Sequence, residues 1–321
     1  MGGIKVKRYF LICAVLMAAM IISPLSAMEK GNAVSTSSET ESENDEFVSV
    51  MLSENGKIEK KDSREYVIGA LAAETDMSCH EEALKAQAAA CFTYMTYMKG
   101  REDKDKFNGA DVSDSPENSQ GYLSLEKRKE KWGENFEENE KKAEKIVDSV
   151  LNKLITYDGK PILAVYHELS SGTTRSAEAV WGTDYPYLQA VESPGDRLSP
   201  DYTKTVILNV SEFMSRAIKI KDVDLGTSAK DWLGKTETDE NGNVECIYLD
   251  GKKISGEDFK AAFELPSCNF TVSYDNEKFK ITSIGSGHMV GMSQYGADYM
   301  AKQGSDWKEI LTHYYQNTEI I

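Results

Sequence analysis

The sequence predicts an α+β protein, with mixed helices and antiparallel hairpins in one body, preceded by an N-terminal membrane-spanning helix. Three observations carry this. Apolar residues recur at helical spacing in several stretches, most clearly over residues 64–99. Elsewhere, short β-prone runs flank Asp158-Gly159, Asp250-Gly251 and Asp275-Asn276, which are hairpin turns. The two kinds of element intermix without the strand–helix–strand alternation of a parallel sheet, and no phosphate-binding or dinucleotide pattern is present.

The chain opens on Lys5, Lys7 and Arg8, followed by an almost unbroken apolar run over residues 9–28. That run is long enough to span a bilayer, and the charge before it places the body outside the cytoplasm. A retained single-pass anchor over residues 1–28 is the expectation. The alternative is secretion after cleavage near Leu25-Ser26-Ala27. Residues 29–46 are rich in Ser and Glu without apolar period, and read as a flexible linker. Residues 47–321 form the body. With 37 basic and 53 acidic residues, the net charge of −16 excludes a sequence-independent nucleic-acid binder. It leaves room for a polysaccharide, which is read by hydrogen bonds and stacking.

Residues 47–52 read as a first strand ending at Glu54-Asn55-Gly56. Two helices follow. The first opens with Asp62 and Glu65 three apart, a capping-box spacing, and ends on Glu74 before Thr75 and Asp76. The second opens with Ser78 and Glu81, runs through an Ala-rich stretch and stops at Gly100. Residues 100–122 are polar and read as a long loop. Residues 125–154 read as a charged helical region whose apolar stripe includes Ala143, Ile146, Val147 and Val150, the charges between forming a solvated face. A hairpin around Asp158-Gly159 then delivers His167 to a strand end. Helices are expected over 211–219, near 229–234, over 255–263, near 292–302 and over 306–315, with hairpins over 244–254 and 270–284.

Of five cysteines, Cys13 lies in the apolar segment. Cys79 and Cys91 share one helical pattern about 18 Å apart, at ~1.5 Å per residue, too far to bridge. Cys246 and Cys268 could bridge, although thiols are the default. A Cys–His hydrolase using Cys79 or Cys91 is disfavoured, because an Ala-rich helix packs its cysteines.

Glu74 is the residue with chemical promise. It ends an apolar helix beside another, where the helix dipole and desolvation both raise a carboxyl's pKa. A carboxyl protonated near neutrality is what a general acid needs. On position alone, a solvated helix-end carboxylate is the commoner outcome. His167 and His288 each precede a turn rich in Gly or Ser, while His80 reads as exposed and His313 as structural.

Three ordered blocks change the weighing: AAE followed by EALKAQAAA and TY; AVYHELSSGTTRSAEAVWGTDYPYLQAVESPGD at 164–196; and GSGHMVGMSQYGADYMAKQGSDWKEILTHYYQNTEI at 285–320. Together they resemble the SpoIID/LytB family over residues 47–321. The resemblance implies a sporulation-linked lytic transglycosylase acting on peptidoglycan, cleaving between N-acetylmuramic acid and N-acetylglucosamine to leave 1,6-anhydro ends. It implies Glu74 as catalytic acid/base, and His167, Ser170, Ser171, Gly172, His288, Ser293, Gln294 and Tyr295 as substrate-binding residues. It implies peptide-free glycan strands as substrate and a cell-wall amidase of the sporulation machinery as partner. The chain departs from the family pattern at Phe92 (usually Arg), Gly195 (usually Trp) and Met289 (usually Gly). The alternative those departures leave is a catalytically weakened glycan-binding or scaffold protein of the cell envelope.

Many members of the family carry a zinc motif of one His and two Cys. The matching positions here are Phe107, Ser113 and Ser119, none a zinc ligand. No metal or other cofactor is expected. Metal analysis of the purified protein should find far less than stoichiometric zinc, and a chelator should leave the melting temperature unmoved. A tightly held stoichiometric zinc would overturn this reading.

Overall fold

Where the sequence pairs β-prone runs, the computed structural model, which describes residues 46–116 and 119–321, forms ladders. The expected anchor over 1–28 lies outside the described residues, as does all of the linker but Glu46. Among the described residues no helix is long and apolar enough to cross a membrane. β1 (Phe47–Met51) pairs antiparallel with β2 (Ile58–Asp62), and alternation sends Val48 and Val50 into the core.

Asp62 caps α1 (Ser63–Glu74), accepting the Glu65 N–H at 3.0 Å. The helix ends at Glu74, as expected. α2 (Glu81–Lys99) starts differently: its cap is His80, whose Nδ1 accepts the Glu82 N–H. Ser78 instead donates its N–H to Asp76 Oδ1, closing a tight turn that absorbs the break between the helices. Ala86, Ala88, Ala89 and Ala90 on α2 are fully buried, so neighbouring helices approach its backbone closely.

In the loop after α2, β3 (Val112–Ser113) lies parallel to β1, and Phe107 enters the core. The helical stretch expected over 125–154 is two helices, α3 (Leu125–Trp132) and α4 (Phe136–Val150), parted at Gly133, whose φ is +52°. Its charges are not merely a solvated face. Arg128 is fully buried, paired with Glu65 at 2.9 Å and Glu140 at 2.7 Å, and donates to the Leu123 carbonyl. Those partners make burial of its guanidinium possible.

β4 (Ile155–Tyr157) and β5 (Lys160–Pro161) form the hairpin around Asp158-Gly159. β6 (Tyr166–His167) and α5 (Ala177–Trp181) follow. The chain then builds a second hydrophobic core. Its elements are β7 (Thr203–Asn209), α6 (Val210–Ala217), β8 (Leu233–Thr238), β9 (Val244–Leu249), β10 (Lys252–Ser255), α7 (Gly256–Phe263), β11 (Phe270–Asp275) and β12 (Lys278–Ile284). They make two sheets, ordered β10-β9-β8 and β11-β12-β7. Phe213 is the centre, stacked on Phe279 at 3.8 Å and against Phe263 at 4.7 Å. The helix expected near 229–234 is only a short 3-10 turn, Ala229–Asp231, before β8. Pairing with the apolar β9 overrides the weak local helical pattern there.

The lobe closes where it began, Ile284 pairing with Thr203. β13 (Met292–Ser293) then runs parallel to β6. α8 (Gln294–Lys302) and α9 (Trp307–Tyr314) complete the first core, and β14 (Glu319–Ile320) pairs with β4. Cys79, Cys91, Cys246 and Cys268 are all free thiols, so the bridge left open for Cys246 and Cys268 is not formed. Cys246 donates to Glu237 at 3.0 Å.

Arg128→Ala leaves Glu140 facing the interior without its cation. It should destabilise the fold by about 3 kcal/mol, the low end for a broken buried pair because Glu65 stays 38% exposed. Denaturant unfolding checks this, and a loss below about 1 kcal/mol would show that water replaces the guanidinium.

Candidate functional site

Glu74 sits where three segments of the chain meet. The end of α1 supplies it, and the segment before α3 supplies Gly121, whose N–H donates to Glu74 Oε1 in a short hydrogen bond. The start of α8 supplies Gln294, whose Nε2 donates to the Glu74 backbone carbonyl at 3.1 Å and to Gln87 Oε1 at 3.4 Å. Gly121 lets the carboxyl come this close. A Cβ there would stand 2.9 Å from Glu74 Oε1 and 3.2 Å from the Ala73 Cβ.

Burial raises the Glu74 carboxyl above its ordinary pKa, while the Gly121 N–H and the Lys131 charge oppose that rise. Lys131 reaches this end of α1 by donating to the Ala72 carbonyl at 2.7 Å. A polar layer lies alongside. Gln120 donates to Tyr66 Oη and to the Cys91 carbonyl and accepts from Tyr166 Oη, each at 3.2 Å. The Tyr66 ring stacks on Tyr122. Gln120, Gly121 and Lys131 are residues that sequence reasoning missed. A glycine inside a polar loop is the only trace the sequence leaves of them.

The histidines form a second cluster. His167 is buried, and its Nδ1 lies 3.2 Å from the Val290 carbonyl. A carbonyl only accepts, so Nδ1 carries the proton and Nε2 is a bare acceptor, buried without a partner. His288 Nδ1 accepts the Val290 N–H at 3.0 Å, which leaves its proton on Nε2. Burial pushes His167 down to about 3 and His288 down to about 4, so both are neutral near pH 7. Their rings are 5.9 Å apart, and Trp181, 41% exposed, meets His288 edge-on at 5.3 Å. Trp181 was also missed. It is an aromatic residue left half in water at a helix end, a placement the sequence does not reveal.

The remaining candidates divide. Ser170 and Ser293 do not line a groove: both are fully buried and bind Asp196. Asp196 is itself fully buried and its carboxyl is raised by that burial, so it recruits these hydroxyls as internal donors. Gly172 is also buried; it donates to Ser170 Oγ, and the Arg197 side chain fills the space a Cβ would need. The Ser171 carbonyl accepts from Tyr202 Oη at 2.9 Å. Tyr295 lines a separate cavity of about 400 Å3 with Glu168 and Ser286. The structure thus brings Gln294 to Glu74 and pairs His167 with His288.

The departures from the family pattern are absorbed by packing. Phe92 lies in the core, and the Tyr299 ring occupies the space beside Gly195. Met289 is buried with φ at +61°, a left-handed conformation that glycine adopts more readily. Phe107 and Ser113 are core positions, so the residues present do not fit a zinc ion. Among the described residues, no group of three His, Cys, Asp or Glu side chains is gathered to hold a metal.

Comparison with known proteins bears on this geometry. The SpoIID family profile, described as stage II sporulation protein, matches residues 53–157, a span that contains Glu74 and Gly121. Stage II sporulation protein D of Bacillus amyloliquefaciens is 35% identical over 274 residues, covering 85% of this chain and 78% of that protein. The Bacillus subtilis (strain 168) protein of the same name is 34% identical over 275 residues, with the same coverage of 85% and 78%. The amidase enhancer of Bacillus subtilis (strain 168) is 24% identical over 302 residues, covering 78% of this chain and 40% of that protein. Identity of this level across most of both chains, with the profile match over the segment that holds Glu74, shows that the chain belongs to the stage II sporulation protein D (SpoIID) family.

Proposed function

We propose that the protein is a peptidoglycan lytic transglycosylase that uses Glu74 as its single acid/base. The observation that carries this reading is a half-buried carboxyl with a raised pKa, held by one backbone N–H at a helix end. Protonated Glu74 gives its proton to the glycosidic oxygen between N-acetylmuramic acid and N-acetylglucosamine. The C1–O bond breaks and its electron pair goes to that oxygen. The Glu74 carboxylate, steadied by the Gly121 N–H and the Lys131 charge, takes the proton of the muramic C6 hydroxyl as that oxygen attacks C1. The proton is back on Glu74, no water is consumed, and the product ends in a 1,6-anhydro sugar. One carboxyl serves where hydrolytic glycosidases need two.

Gln294 fixes the backbone of Glu74, and His288 offers its Nε2–H to sugar oxygens beside the exposed face of Trp181. The relatives named stage II sporulation protein D support a role in sporulation, and the one named amidase enhancer supports work alongside a cell-wall amidase. An amidase removes peptides, and the peptide-free strand is the proposed substrate. A body anchored through residues 1–28 outside the cytoplasm would meet it in the cell envelope.

Glu74→Gln keeps the shape and loses the proton. Release of anhydro ends, read by mass spectrometry, should fall by about 100- to 10,000-fold with folding intact. Undiminished release would refute the role of Glu74, and glycan binding without cleavage by the unaltered protein would favour the scaffold reading instead.

Only the protonated carboxyl donates, so kcat/KM should fall as pH rises through the raised pKa of Glu74. That limb should lie above the ordinary glutamate value of about 4.3. Gly121→Ala pushes a methyl group against Oε1 and should cost about 100-fold in turnover through misplacement, with the limb displaced. A variant with native turnover and an unmoved limb would show that Gly121 does not position the acid.

A further inference from the structure

Away from Glu74, the fold gathers positive charge into one concavity. A cleft of about 990 Å3 opens between the β1–β2 hairpin, the C-terminal end of α2, the loop beyond it and β5. Lys60, Lys99, Arg101, Lys104 and Lys160 line it, brought from three separate stretches of chain. Asp111 is its one carboxylate among the described residues, and Lys104 already pairs with it at 2.6 Å. With the Lys104–Asp111 pair and Lys99 set aside, Lys60, Arg101 and Lys160 still put three positive charges on the wall of a protein whose net charge is −16. Like charges in a concavity with low-dielectric walls reinforce one another's field and draw in anions. The cleft also has apolar surface, with Lys60 Nζ 4.0 Å above the Phe47 ring and Tyr97 half-buried alongside.

We propose that this cleft is an anion-binding subsite that holds the free carboxylates of a peptide-free glycan strand. It rests on the glycan reading given above. A strand of N-acetylated sugars is neutral except at the lactyl group of each muramic residue. That group is an amide while its peptide is attached and an anion once the peptide is gone. Cationic side chains in the cleft therefore meet an anion on the sugar itself only when the strand has been stripped. Gln87, which touches Gln294 beside Glu74, and Tyr97, on the cleft wall, are ten residues apart on α2. That is about 15 Å along the axis at ~1.5 Å per residue, longer than a single sugar, so an occupant of both places has to be a polymer.

The test uses the full chain carrying Glu74→Gln, so that strands are bound without being cut. Calorimetry compares peptide-free strands with the same strands after their carboxyls are reduced to alcohols. Reduction should weaken binding about tenfold, about 1.4 kcal/mol, and salt should weaken binding of the unreduced strands. This arm needs no change to the cleft. In the second arm, Lys60→Gln, Arg101→Gln and Lys160→Gln, all at exposed side chains, are combined. The triple variant should lose a similar factor on unreduced strands and no longer discriminate between the two. Equal binding of both strands, or native discrimination by the triple variant, would overturn the proposal. A parallel assay of anhydro ends with Glu74 restored separates the two readings. Carboxylate-dependent binding without anhydro ends leaves the cleft standing and removes the transglycosylase, whereas anhydro ends with no carboxylate dependence do the reverse.

Discussion

Small side chains along α2 set the distances on which the first core depends. Four alanines in that helix are fully buried, and helices from both ends of the body pack against it. A larger residue at those positions would hold α1 and α8 apart. Close approach instead brings Gln87 of α2 to Gln294 of α8, and Gln294 to the last carbonyl of α1. The carboxyl under discussion belongs to the residue that owns that carbonyl. Its placement follows from helix packing, and its acidity follows from the burial that packing imposes.

Much of this was legible because it is local. Asp62 caps a helix, Gly100 stops one, and Asp158-Gly159, Asp250-Gly251 and Asp275-Asn276 turn strands, since each depends on residues within a few positions. Glu74 could be placed at a helix end for the same reason. What escaped depends on partners far along the chain. Arg128 looked like one charge among many, because the two carboxylates that let it be buried lie 63 and 12 residues away. The first residues of β8 fell within an expected helix because their pairing with β9 is not written in their own sequence. Ser170 and Ser293 looked like surface donors because Asp196, which draws both inward, is distant from each. Gly121 could be seen as a glycine but not as the donor to Glu74, 47 residues earlier.

Asp196 has a further structural role. It joins the segment after β6 to the end of β13, two strands that already run side by side, and so locks the start of α8 to the serine-rich turn. Arg175 works across the two cores. Its N–H donates to the Met289 carbonyl at 2.6 Å, and its guanidinium lies 3.5 Å from Asp239 in the second lobe. The left-handed Met289 is thus held from outside its own turn, which is how a conformation costing about 1 kcal/mol or more for a non-glycine residue persists.

The second lobe leaves the first and returns to it through a single pair of facing strand residues, Thr203 and Ile284. Everything between them has its own core, centred on Phe213. A segment whose two ends already touch can be lengthened, trimmed or exchanged during descent without displacing the chain on either side of it. Lengthening the far turns of this lobe, at Asp250-Gly251 or Asp275-Asn276, should therefore leave the arrangement around Glu74 in shape.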